Sequence, residues 1–232
     1  MKKVLLLTAA MALLAMPAMA GIKQTRHNLG ATGDYTYRVT DSAGVTQICV
    51  FCHTPHNAER NILLWNRTMS SGTFQMYTSS GSFSSGNKKT AMDANSISLF
   101  CLSCHDGSVA LSAKIKNNPE ASLGYAGLPG RVSRRTNIGG SSDGSDIDLR
   151  NDHPVNVRLG IAIEQHYGGG DTAKWGTPAA VATDGLRLFK IGNNSDYVEC
   201  ASCHDPHSNA FGRRFLRKSN SSSSLCLTCH KK

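Results

Sequence analysis

Cys49-Val50-Phe51-Cys52-His53 is the first of four copies of one pattern, Cys-x-x-Cys-His, and its reading decides the fold. The others are Cys101-Leu102-Ser103-Cys104-His105, Cys200-Ala201-Ser202-Cys203-His204 and Cys226-Leu227-Thr228-Cys229-His230. Together they use all 8 cysteines of a 232-residue chain. Thiols at this spacing suit a zinc ribbon, a redox dithiol or part of a disulfide framework. None of these requires a histidine directly after every second cysteine. Attachment of a c-type haem does. Two thiols form thioethers with the porphyrin edge, and the next imidazole reaches the iron from one face. The pattern therefore predicts four haem c groups, held through Cys49, Cys52, Cys101, Cys104, Cys200, Cys203, Cys226 and Cys229. The proximal iron ligands are His53, His105, His204 and His230.

The ligand on the opposite face decides between carrier and catalyst. A second imidazole closes the iron and leaves an electron carrier, whereas an open position allows substrate to bind. Of 9 histidines, the four proximal ones leave His27, His56, His153, His166 and His207. His56 and His207 each follow a proximal histidine by three residues, in His53-Thr54-Pro55-His56 and His204-Asp205-Pro206-His207. Neither can swing easily to the far face of its own haem, so each is expected to serve a neighbouring iron. His153 precedes Pro154 in a rigid setting, and His27 lies near the start. These four are the expected distal ligands. His166, beside Tyr167 and three glycines, is the spare. Met69, Met76 and Met92 are read as packing or loop residues.

Lys2 and Lys3, the apolar run Val4 to Met16 and the small-residue triplet Ala18-Met19-Ala20 read as a signal peptide cleaved after Ala20. A retained anchor is the alternative, and nothing apolar of that length recurs. The sequence thus divides into residues 1–20, a leader, and 21–232, a tetrahaem domain. It is expected to be exported, with no membrane span in the mature chain. The formal charge of +9 misleads. Without Lys2 and Lys3 it is 23 − 16 = +7. Eight propionates and four ferric centres bring the loaded protein to about +3 oxidised and about −1 reduced. That balance gives no support to nucleic-acid binding.

Ser70 to Lys89, Asn137 to Asp148, Gly168 to Gly176 and Asn220 to Ser224 read as loops. The expected fold is mostly irregular, with short helices and few strands. Ser96 to Ala113 reads as a helix capped by Asp93 or Asn95, with short turns at Tyr197 to His204 and Leu225 to His230. Val155, Val157 and Leu159 alternate as a strand does, and Tyr35 to Val39 is a second candidate. Aromatics are only 6%, so the macrocycles are expected to replace a side-chain core. The haem-free chain should then be largely unfolded.

Cys49 to Asn57 and Cys101 to Gly107 resemble the paired-motif family of multihaem cytochromes c. His27-Asn28-Leu29, Asp152-His153-Pro154-Val155 and Cys203-His204-Asp205-Pro206-His207 extend the likeness. Within that family the chain is similar to the OmcE-type outer-surface tetrahaem cytochromes, which polymerise into nanowires. The resemblance implies a multihaem cytochrome c fold built around stacked haems, bis-histidine ligation and one axial histidine donated across a subunit boundary. His27 is the candidate for that donation, and binding within its own subunit is the alternative. It further implies a head-to-tail homopolymer at the cell surface, fed by redox donor cytochromes and discharging to extracellular acceptors. Two other functions stay open. One is a monomeric periplasmic electron shuttle; the other is a reductase with an open haem face.

Overall fold

The computed structural model describes residues 21–39, 45–70, 72–78, 87–108, 138–139, 146–161, 175–212 and 214–231. Among them, regular structure is sparse and short, and most of the path is turn and loop. The strands are β1 (Thr73–Gln75), β2 (Asp146–Asp148), β3 (Val157–Arg158), β4 (Phe189–Ile191) and β5 (Asn194–Val198). The α-helices are α1 (Ser98–His105), α2 (Pro178–Thr183), α3 (Cys200–Cys203) and α4 (Ser224–Leu227). Among the described residues no helix is long and apolar enough to cross a membrane.

Helix α1 carries the second cysteine pair. Its N-cap position is Ile97 rather than Asp93 or Asn95. The reason is a long-range substitute for a local cap. The Ser98 N–H is taken by Ser96 Oγ at 3.2 Å and by a carboxylate oxygen of Glu199 at 3.1 Å. Gly107, at φ +74°, turns the chain just after the helix, a conformation that glycine adopts without penalty. The expected continuation to Ala113 lies beyond residue 108, outside the described residues.

Two small sheets set the motifs in place. β1 and β2 pair in parallel, with Phe74 opposite Ile147. Both strands fall in stretches whose polar, glycine-rich sequence reads as loop. Ile147 packs with Met76, Leu102 and Leu149, and so backs the second motif. The other sheet has the order β3-β5-β4, all antiparallel. Gly192 (φ +58°) and Asn193 make its hairpin turn, as expected for a two-residue connection. Tyr197 and Val198 therefore belong to a strand and not to a helical turn; β5 delivers the chain through Glu199 into α3. The fourth-motif turn forms as α4. The strand expected around Val155 to Leu159 shrinks to Val157–Arg158. Tyr35 to Val39 is a run of bends with no ladder partner.

Among the described residues, most buried apolar side chains fall into three clusters. Val39, Val45, Val50 and Phe51 make one, against which Cys52 and Cys104 pack. Leu159, Val181 and Leu186 make another, with Cys229 beside it. The small clusters thus border attachment cysteines, so the thiols stand where an apolar macrocycle would join existing hydrophobic surface.

Candidate functional site

The first and third motifs are built as the same backbone unit. After His53 the chain loops out and returns so that Thr54 N donates to Leu64 O (2.9 Å) and Asn66 N to Cys52 O (2.8 Å). After His204 it does the same, with Asp205 N to Phe215 O (2.7 Å) and Arg217 N to Cys203 O (2.9 Å). Leu64 (φ +50°) and Phe215 (φ +58°) occupy matching positions in the left-handed region. Such backbone is costly for a side-chain-bearing residue and persists where surrounding contacts enforce it.

The loops also orient imidazoles. His53 Nδ1 donates to Leu63 O at 2.6 Å, and His204 Nδ1 to Arg214 O at 2.7 Å. A carbonyl can only accept, so each Nδ1 carries the proton and each Nε2 keeps its lone pair. This tautomer is the one a metal needs, fixed by an outer hydrogen bond. His153 Nδ1 donates likewise to Pro154 O at 3.0 Å, and His27 Nδ1 to Pro206 O at 3.4 Å.

Three motif histidines each meet a histidine from elsewhere in the chain. The ring centres of His53 and His207 are 6.1 Å apart, those of His105 and His27 6.0 Å, and those of His230 and His153 6.3 Å. Two imidazoles on opposite sides of one metal, each nitrogen about 2 Å from it, leave ring centres about 6 Å apart. The observed spacings match that separation, and they also lie in the ordinary range of edge-on ring contacts. His27 is further clamped by Phe215, stacked at 4.4 Å. Burial, then the neighbouring His105, hold its pKa down to about 4, which keeps the ring neutral and its lone pair available near neutral pH. His204 is exposed, as is His56. His166 lies outside the described residues.

The thiols report how the four motifs adjoin. Burial and then Cys104 push Cys52 up to about 12, which places the first motif beside the second. A hydrogen bond to Cys200, then burial, raise Cys101 well above the ordinary thiol range and join the second motif to the third. Burial, then Cys229 and Cys226, raise Cys203 to about 11 and join the third to the fourth. The attachment motifs thus adjoin in chain order. Cys200, the partner of Cys101 in that hydrogen bond, is lowered by it. None of the 8 cysteines forms a disulfide. Among the described residues no group of three His, Cys, Asp or Glu converges on a metal-ion site.

A further observation bears on the fit. Trp65 is buried edge-on to His53, with ring centres 5.6 Å apart, and its Nε1–H has no hydrogen-bond partner. With a tetrapyrrole bound, it would supply a donor for one of its carboxylates. Neither Trp65 nor the carbonyl acceptors at Leu63 and Arg214 were legible as site residues, because a backbone oxygen leaves no mark in the side-chain pattern. The signal available was the shared His-x-Pro-His, which hints that two loops repeat.

Doubled attachment motifs and oriented imidazoles in a loop-rich chain suit a haem-binding electron-transfer cytochrome of the c type. Residues 194–232, which hold the third and fourth motifs, match the family model described as a doubled CXXCH motif. No curated protein matches the chain.

Proposed function

We propose that the protein is an exported tetrahaem electron carrier whose irons are all closed by two histidines. The three histidine pairs at 6.0 to 6.3 Å carry this reading. On this reading His207 serves the first iron, His27 the second and His153 the fourth. By the repeated loop, His56 stands to its motif as His207 stands to its own, and it is assigned to the third iron, opposite His204. Each bound haem supplies one-electron chemistry between ferric and ferrous iron. The chain's own residues attach the macrocycle, fix the imidazole tautomers through Leu63 and Arg214, and line up the centres in sequence order.

The finer reading is a subunit of a cell-surface polymer, a nanowire, carrying electrons from donor cytochromes to external acceptors. It is supported by the likeness of the motifs to the OmcE-type proteins and by the exposure of His56 and His204. His27 has His105 of its own chain within reach, so the joint between subunits is assigned to His56 meeting His204 of the next copy. Haem counting by pyridine haemochrome and low-temperature electron paramagnetic resonance test the carrier. Four haems per chain, all low-spin, are expected; a high-spin resting signal would favour the reductase. Electron microscopy of His56→Ala and His27→Ala protein tests the polymer. Filaments that persist in the first and vanish in the second would return the joint to His27.

A further inference from the structure

Glu199 is almost wholly buried, at 1% exposure, and sits between the second and third motifs. It directly precedes Cys200, and its carboxylate receives donors from the segment that opens α1. Oε2 accepts from Ser96 Oγ at 2.6 Å, from Ser98 N at 3.1 Å and from Ser98 Oγ. Oε1 accepts from Asn156 Nδ2 at 3.1 Å. The hydroxyls are committed as donors by their surroundings. Ser98 Oγ accepts from Cys200 N at 3.0 Å, and Ser96 Oγ accepts from Ser98 N. Every group that faces the carboxylate therefore offers a proton, the setting of an ionised acid.

A buried charge is ordinarily paired. Among the described residues no Lys, Arg or His forms an ion pair with Glu199. The nearest cation in the network, Lys89, reaches only Asn156 Oδ1 at 3.2 Å and is itself paired with Asp93. The negative charge is thus left facing the two attachment sites. The thiols of Cys101 and Cys200 touch each other through a hydrogen bond, so the attachment points of the second and third motifs adjoin beside Glu199.

We infer that Glu199 is a fixed buried charge, shared by the second and third haem centres, that favours the oxidised state of both irons over the reduced state. A ferric centre carries one more positive charge than a ferrous one. A carboxylate in a low-dielectric setting stabilises it by direct attraction, and so lowers both reduction potentials. Glu199 acts through the field and through the placement of α1 against α3; it touches no iron. The inference deepens the carrier reading and rests on it.

The test is a redox titration of haem-loaded Glu199→Gln protein, with each haem followed by nuclear magnetic resonance. Glutamine keeps shape, and its oxygen can keep the serine hydrogen bonds, but it gives up the donor from Asn156 and removes the charge. Two of the four potentials should rise, those of the centres at His105 and His204, with Glu199→Asp close to wild type. Four unchanged potentials, or an equal shift of all four, overturn the inference. A wild-type protein with fewer than four haems instead overturns the carrier reading. If the glutamine variant fails to assemble, redox-difference infrared spectra of wild-type protein with isotope-labelled glutamate decide. Ionised carboxylate bands that shift on reduction are expected; a buried protonated carboxyl in both redox states overturns the proposal.

Discussion

His53 and His207 stand with ring centres 6.1 Å apart and planes inclined by 27°, although one follows the first cysteine pair and the other the third. His207 does not face the iron site of its own motif, because three residues and Pro206 are too short a path to round a macrocycle. The pairing folds the two ends of the chain onto each other. Replacing His207 with alanine should leave the first iron five-coordinate while the other three stay closed. One haem in four should then bind carbon monoxide in the folded protein. Four low-spin haems in that variant would remove His207 from the ligand set.

Gly176 places the fourth motif. Its N–H donates to Cys229 O at 2.8 Å, and Trp175 bridges to His230 with ring centres 4.6 Å apart. A Cβ added to Gly176 would overlap the carbonyl oxygen of Thr228, which is backbone and has little room to yield. Gly176→Ala should therefore displace residues 228–230 and impair attachment there. The expected intact mass is short by one haem, with the first two motifs loaded normally. Full loading with unchanged spectra would show that the strand-like contact is slack.

Asp184, at the end of α2, ties that helix to the fourth motif. Its Oδ2 accepts from Thr228 Oγ1 at 2.6 Å and pairs with Lys218. Lys218 and then Thr228 hold the Asp184 carboxyl below its ordinary range. A lowered folded pKa means the contact contributes fully above the unfolded value of about 4 and fades as pH falls through the folded value. Asp184→Asn should lower the denaturant midpoint at neutral pH, and the gap to wild type should close in acid. A gap that stays constant down to low pH would assign the effect to shape instead of charge.

How much of this was readable beforehand depends on where the information sits. Cys-x-x-Cys-His is a local covalent requirement, so its residues stand out in a line of text. The pairing of β1 with β2 is not local, and Thr73-Phe74-Gln75 carries too few apolar residues to betray a strand. The cap of α1 was misplaced for a related reason. Asp93 and Asn95 are good local caps, but the Ser98 N–H was already taken by Glu199 from far along the chain. Glu199 itself looks like any surface acid until β5 and α3 bury it. Tertiary partners override local propensity wherever short elements cannot stabilise themselves.

Shortness of that kind has a further consequence for the haem-free chain. Among the described residues the buried apolar clusters hold only three or four members each, with Ile22, Trp65, Phe100, Ile191 and Tyr197 buried outside them. Ordering each loop residue costs about 1–2 kcal/mol of backbone entropy, against about 1.5–3 kcal/mol for each large apolar side chain buried. With so few such side chains per cluster, the balance cannot favour order without additional buried surface. The cysteines packed against the clusters, Cys52, Cys104 and Cys229, show where that surface would attach. Protein made with all attachment cysteines replaced by alanine should therefore lack a cooperative thermal transition and exchange its amide protons freely. Attachment should restore protection first around α1 and β5, where Glu199 and Ser98 already join two motifs. A cooperative transition in the cysteine-free chain would mean that the polar network around Glu199 and the two small sheets suffice to hold the fold, leaving the haems to ride on a scaffold they do not build.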